Sequence, residues 1–213
     1  MKYAEYRGEH ECRCHPVERG WRPAERVAPL LVPEPTLFGG SVDRWMELNA
    51  LRDAWVAAYS WAVPTRMAIQ RICDAVGTRT LLDPMCGTGY WASLLRAAGV
   101  VTIASDVAPG LNHWAAASHV DDAIAGDAVA MVESVNPGAL LLVWPPYDED
   151  VAQRALDTFR GDVFVYVGEG EGGCTATDAF HQALADEWDS LGTWNLPQWP
   201  GIHDYLAAFA RRA

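Results

Sequence analysis

A chain of 213 residues is long enough to bury one well-packed α/β core and short for two. With half of its residues apolar and 21% charged, it excludes wholesale disorder, collagen-like repeats and a low-complexity scaffold. The formal charge of −12 is uneven: residues 1–80 hold 11 basic and 10 acidic residues, whereas residues 81–213 hold 5 and 18 and so carry −13, a surface that repels polyphosphate and speaks against stable nucleic-acid binding.

Residues 1–38 contain Pro16, Pro23, Pro29, Pro33 and Pro35 without sustained periodicity, and are expected to form an extended or partly disordered arm. Within it, His10, Cys12, Cys14 and His15 are spaced too tightly for a usual zinc site, so no metal is expected. The five cysteines are odd in number and irregularly spaced, which argues against a secreted disulfide framework. The opening MKYAEYRGEH has no apolar leader core, and the strongest apolar run, 139–144, falls far short of the roughly 20 residues of a membrane span. A cytoplasmic protein without a membrane partner is the expectation, and the sequence sets no oligomeric state. Ten tryptophans are an excess that can build either a core or a stacking pocket.

Residues 39–78 read as a helical lid. Ser41 is placed to cap a helix in which Trp45, Leu48, Leu51, Trp55 and Tyr59 recur at three- and four-residue steps. Pro64 is expected to open a second helix through Gly77, with Ile69, Ile72 and Val76 inward. In 79–213 the rhythm changes, and short apolar runs at 80–83, 100–105, 122–125, 139–143 and 163–167 alternate with expected crossover helices at 90–98, 111–118, 129–135, 149–159 and 177–187. Continuously apolar strands separated by helices predict an α/β fold, doubly wound, with a mostly parallel sheet covered by helices on both faces. Ligands of such sheets bind beyond the carboxyl ends of the strands, so the loops there are where chemistry is sought.

The first of these loops reads Asp83-Pro84-Met85-Cys86-Gly87-Thr88-Gly89-Tyr90. Gly87 and Gly89 permit a tight turn and a close approach of backbone to ligand, ahead of a helix N-terminus. With Ala92 and with Asp106 about 20 residues further on, they also fit the dinucleotide fingerprint of a nicotinamide-dependent oxidoreductase. Asp83 at the head of the loop is awkward for a pyrophosphate, whereas S-adenosylmethionine carries an ammonium and a sulfonium that would welcome the acid.

On these residues the chain resembles the class I S-adenosylmethionine-dependent methyltransferases, over roughly residues 60–213, with Asp83-Pro84-Met85-Cys86-Gly87-Thr88-Gly89 similar to their glycine-loop motif. The resemblance implies a seven-stranded Rossmann-like sheet, its last two strands in 187–199 and 205–211 and one of them antiparallel. It implies that Asp83, Cys86, Gly87, Gly89 and Tyr90, with Trp144, contact S-adenosylmethionine. It implies further that Asp106 takes the ribose hydroxyls, and that Asp127 and Ala128 lie at the adenine.

The fourth strand ends in Trp144-Pro145-Pro146-Tyr147, where amino-methyltransferases have Asn, Asp or Ser before Pro-Pro-Tyr. An indole is a donor without an acceptor oxygen, so Trp144 departs from that pattern and weakens a base-amino-methylating reading. What remains is a wall of Trp144 and Tyr147, with Pro145, suited to an aromatic or cationic acceptor. Tyr59 and Trp61 precede the first strand, where the resemblance implies a helix that closes over the cofactor, and both are candidates to bind substrate. In Gly168-Glu169-Gly170-Glu171, Glu169 and Glu171 are candidates to grip a cation, or, for Glu169, to take a proton from an amine. His113, His181 and His203 are further candidates for a base.

The expected function is methyl transfer to N or O of a small aromatic or amine-bearing metabolite, with Trp144, Tyr147 and Glu169 at the chemistry. A nucleotide-base amino-methyltransferase, a nicotinamide-dependent oxidoreductase and a non-catalytic cofactor-binding module are the competing readings.

Overall fold

In the computed structural model of the chain the described residues are 16–31, 42–111, 114 and 116–212. The elements run α1 (Pro16–Val27), a 3-10 turn (Ala28–Leu31), α2 (Val42–Ala58), α3 (Arg66–Val76), β1 (Leu81–Asp83), α4 (Tyr90–Ala97), β2 (Thr102–Asp106) and β3 (Ile124–Ala125). There follow α5 (Ala128–Val135), β4 (Ala139–Val143), α6 (Val151–Thr158), β5 (Val163–Gly168), α7 (Asp178–Glu187), β6 (Trp188–Asn195) and β7 (Tyr205–Arg211).

The strands form one seven-stranded sheet in the order β3-β2-β1-β4-β5-β7-β6. All neighbouring pairs from β3 to β5 are parallel; β7 runs antiparallel to both β5 and β6. The order reverses between β1 and β4, which opens a crevice at their carboxyl ends. Alternation along the strands divides the core. Leu81, Ala139, Leu141, Val163, Val165 and Val167 face α1 to α4, while Leu82, Leu140, Leu142, Phe164 and Tyr166 face α5 to α7.

Helix α3 shows why the local sequence folds as it does. The Thr65 hydroxyl accepts the Ala68 N–H at 3.0 Å as its N-cap, and Gly77 ends it at φ +60°. Its apolar positions Ile69, Ile72 and Val76 are all buried. The start is therefore Thr65 with Arg66, two residues after the proline that the pattern singled out.

The extended arm expected over 1–38 is corrected in its described part. Residues 16–27 are helical despite Pro23 inside the helix, and Trp21, Ala24, Val27 and Leu31 join the main core at three- and four-residue spacing. Proline frequency hid an amphipathic stripe, because Pro16 occupies the first helical position, where its missing N–H costs nothing. The helix is latched to α3 through Arg66, which pairs with Glu25 at 2.8 Å and Glu18 at 3.0 Å and lies over the Trp21 ring at 5.0 Å. One hydrophobic cluster thus runs from α1 through α2 and α3 into the sheet. His10, Cys12, Cys14, His15 and Ser41 lie outside the described residues.

A second correction concerns 111–118, expected as a crossover helix. Its described residues form a loop: within it Ala116 N–H bonds Ala57 O at 2.9 Å, and on either side Gly110 N–H bonds Gly87 O at 3.0 Å and His119 N–H bonds Thr88 O at 2.7 Å. Those bonds stitch the segment to the glycine loop and the end of α2. Both final strands lie where the resemblance implied, and the Ala-rich segment that propensity alone would make helical is strand β7, fixed by pairing on both edges. No helix among the described residues is long and apolar enough to cross a membrane.

Candidate functional site

A cleft of about 650 Å³ opens at the carboxyl ends of β1, β2 and β4, at the reversal of strand order. Its floor is the loop after β1. Gly87 and Gly89 have φ +55° and +72°, the left-handed region that favours glycine, and a Cβ on Gly89 would stand 2.4 Å from Val120 Cγ2. Cys86 N–H bonds Ser105 O at 2.9 Å, tying the loop to the end of β2. Gly89 borders the cleft rather than lining it, and fixes the loop's shape.

Three carboxylates end three successive strands or their loops, and all three line the cleft. Asp106 accepts the N–H groups of Gly87 at 2.8 Å and Ala108 at 3.0 Å, so the glycine loop and the acid hold one another in place. Asp127 caps α5 by accepting the Ala130 N–H at 3.0 Å, and the following Ala128 is buried against the cleft. Asp83 is 1% exposed, and its Oδ1 has no hydrogen-bond partner among the described residues. Burial, reinforced by the nearby charge of Asp106, pushes its carboxyl up to about 8. A buried acceptor left unpaired costs free energy unless something else meets it. Cys86 also lines the cleft, and burial, followed by the charges of Asp83 and Asp106, pushes its thiol up, out of the nucleophilic range.

The opposite wall is aromatic. Trp61 stacks on Trp144 with ring centroids 4.7 Å apart and planes 13° apart, and Trp114 meets Trp61 edge-on at 5.2 Å. Tyr59, Pro145 and Tyr147 complete this side, with Tyr147 57% exposed at the rim. Trp144 holds φ +51°, a strained setting for a bulky residue, and its indole N–H donates to Asp204 Oδ2 at 3.1 Å. The Thr88 hydroxyl donates to Tyr59 O, which binds the segment before α3 to the glycine loop.

The remaining sequence candidates are placed elsewhere. Tyr90 is buried behind the loop, its hydroxyl donating to Gly20 O at 2.6 Å and its ring against Trp55, Tyr59 and His119; it does not line the cleft. Glu169 does not line it either. Its Oε2 accepts Cys174 N–H at 2.8 Å and its Oε1 accepts His203 N–H at 2.7 Å, so the expected base is a buried brace between two loops. Glu171 is exposed and away from the cleft. Cys174, by contrast, is exposed and lines it. His181 bonds Thr175 O at 3.2 Å, the His203 side chain is 80% exposed, and His113 lies outside the described residues.

Among the contributors missed in sequence are Trp114, Asp204 and Glu149, the last an acid that lines the cleft. Trp114 falls in the segment read as a helix, where no single residue signals a cleft wall. Asp204 precedes the last strand in Gly201-Ile202-His203-Asp204, and nothing in that pattern marks a fully buried carboxylate. Burial, tempered by the Trp144 hydrogen bond, pushes it up to about 7.

No protein-family model matches the chain, and no curated protein matches it in sequence. Solved structures do match in fold. The chain is similar to the 1,6-didemethyltoxoflavin-N1-methyltransferase of Burkholderia thailandensis, solved with 1,6-didemethyltoxoflavin and S-adenosylhomocysteine, at 14% identity and a TM-score of 0.47, over 85% of this chain and 94% of that one. It is similar also to the magnesium protoporphyrin IX methyltransferase of Synechocystis, solved with S-adenosylmethionine, at 11% identity and a TM-score of 0.48, over 88% and 90% of the two chains. At these identities the likeness is one of fold.

Proposed function

We propose that this chain is an S-adenosylmethionine-dependent methyltransferase acting on N or O of a small aromatic or amine-bearing metabolite. The observation that carries the reading is Asp83: a carboxylate oxygen buried in the cleft, beside a glycine loop, with no partner among the described residues. A cationic ligand supplies what that oxygen lacks, and a pyrophosphate would do the reverse.

The residues fit the cofactor in detail. Asp83 with the backbone around Gly87 would hold its ammonium end, Asp106 its ribose hydroxyls, and Asp127 with Ala128 its adenine. When bound, S-adenosylmethionine supplies a methyl group on a positively charged sulfur. The chain's own contribution is positioning and exclusion of water: the Trp61–Trp144 wall and Pro145 shape the space in which an acceptor is held. The docking surface is a cleft of about 650 Å³, open to solvent at the Tyr147 rim, a size that supports a metabolite rather than a macromolecule as acceptor.

Isothermal titration with S-adenosylhomocysteine and with NADH tests the reading. The expected result is saturable binding of the first, weakened at least about tenfold by Asp83→Asn, and none of the second. Binding of NADH without S-adenosylhomocysteine would overturn it in favour of an oxidoreductase.

A further inference from the structure

The cleft is short of positive charge yet holds a buried donor. Among its described lining residues there is no Lys, Arg or His. An α-amino acid carries a carboxylate beside its ammonium, so a cleft that takes such a group through Asp83 must also meet an anion with neutral donors. Several lining donors are committed within the chain. The Ser60 hydroxyl donates to Ala62 O, the Thr88 hydroxyl to Tyr59 O and the Trp144 indole N–H to Asp204.

Seven buried side-chain nitrogen or oxygen atoms among the described residues have no hydrogen-bond partner, and two of them belong to residues that line the cleft: Asp83 Oδ1, an acceptor, and Trp91 Nε1, a donor. Trp91 is 2% exposed. A buried indole N–H ordinarily finds a partner, and leaving one unmet costs free energy. Trp55 and Trp188 also keep unpartnered indoles, but they do not line the cleft and pack against other rings, Tyr59 and Tyr90 for Trp55, Phe159 and Phe164 for Trp188. Asp83 ends β1 and Trp91 falls in the first turn of α4, so the glycine loop joins the two and sets both on one cleft. The first turn of a helix also favours an anion. An unmet acceptor and an unmet donor flanking one loop are the complement of a zwitterion.

Resting on the methyl-transfer reading above, we propose that Trp91 binds the cofactor: its indole N–H donates to the carboxylate of the amino-acid end, while Asp83 accepts from the ammonium of the same group. The amino acid is then read at both of its charges without a basic side chain. Trp91 belongs to the main hydrophobic cluster with Leu94 and Leu95, so its N–H is held by packing, and little side-chain freedom is lost when a ligand arrives. Because the indole is neutral, it meets the carboxylate without placing a positive charge beside the cofactor's sulfonium.

Two ligands on the full chain separate this role from packing: S-adenosylhomocysteine and its decarboxylated analogue, which keeps the adenosine, the thioether and the amine. Trp91→Phe deletes the N–H and keeps a buried ring. By isothermal titration it should weaken S-adenosylhomocysteine about tenfold or more and leave the analogue within about twofold, so that the wild-type preference for the carboxylate is lost. Asp83→Asn should weaken both ligands alike, since both carry the amine. Equal weakening of the two ligands by Trp91→Phe, or weakening of neither, in a chain folded by circular dichroism would overturn the proposal. Should that variant not fold, wild-type protein isotopically labelled at its indole nitrogens decides by magnetic resonance. One of the ten tryptophan N–H signals should move downfield with S-adenosylhomocysteine and not with the analogue, and signals that all respond alike to the two ligands would sink the assignment. A wild-type chain that binds neither ligand overturns the methyltransferase reading, and does so by absent binding rather than by an altered preference.

Discussion

Two pairs of buried acids stand at the carboxyl-end side of the same sheet and are used in opposite ways. At β1 and β2, Asp83 has an oxygen with no partner, in a cleft, and Asp106 holds the glycine loop while facing the same cleft. At β5 and β7, Glu169 gives both oxygens to the chain's own N–H groups, and Asp204 takes the Trp144 indole on Oδ2 while its Oδ1 has no partner among the described residues; neither acid lines the cleft. A glycine-rich loop with an acid looks functional in sequence at both places. Donor supply alone does not separate the two pairs, since Asp106 is satisfied by the loop it holds and Asp204 keeps an oxygen without a partner among the described residues. What separates them is that Asp83 and Asp106 line the cleft and Glu169 and Asp204 do not.

The comparison is broken most directly by removing Glu169. Glu169→Ala leaves Cys174 and His203 N–H groups without their charged acceptor, and two such bonds at about 1.5 kcal/mol or more each predict a loss near 3 kcal/mol in urea unfolding. Glu169→Gln keeps one acceptor oxygen and should lose roughly half as much. Asp106→Ala is expected to act on binding instead: S-adenosylhomocysteine affinity should fall by about 1.5–3 kcal/mol, the worth of hydrogen bonds to a charged group. An unchanged affinity by titration would remove Asp106 from the ribose.

Next in size is a pH dependence that differs between the two regions. Asp83 and Asp204 have carboxyls pushed by burial up to about 8 and about 7, above the unfolded value of 3.8. The folded chain therefore binds more protons than the unfolded one between these limits. The contribution is fully present below the unfolded value and is lost as pH rises through 7 and 8, at up to about 1.4 kcal/mol per pH unit for each group. Stability of the ligand-free protein should thus fall from pH 5 to pH 9. Asp83→Asn should flatten the upper part of that decline and raise the melting temperature at pH 8, the reverse of the Glu169 result. A melting temperature lowered by Asp83→Asn at pH 8 would mean that the backbone hydrogen bond at Met85 stabilises the ionised carboxylate more than burial penalises it.

Much of this was legible in the sequence, for identifiable reasons. The parallel strands are continuous apolar runs, and β4 at 139–143 matches its pattern residue for residue, because a strand buried on both faces needs no polar alternation. The glycine loop and Asp83, Asp106 and Asp127 were legible because each sits at the end of an apolar run. Helix α1 was not, since prolines obscured a stripe whose partner, α4 with Trp91 and Leu94, lies some 70 residues away. The loop at 111–118 was not, since its hydrogen bonds go to distant backbone. Glu169 was misread for the same reason: the donors that occupy it come from residues 174 and 203.

The smallest effect expected tests the cleft from its rim. Tyr147 follows the two prolines and lines the cleft while 57% exposed. On the proposed reading its ring serves the acceptor and not the cofactor. Tyr147→Ala should leave S-adenosylhomocysteine affinity within a few-fold and stability nearly unchanged, because a half-exposed ring buries little area. Turnover on an acceptor, found by screening heteroaromatic amines for S-adenosylhomocysteine release, should fall at least about tenfold, the scale of about 1.4 kcal/mol of lost transition-state positioning. If the substitution abolishes S-adenosylhomocysteine binding in a chain that keeps its fold by circular dichroism, the acceptor does not lie between the Trp144 wall and the rim. The division of the cleft into a carboxylate half for cofactor and an aromatic half for acceptor then fails with it.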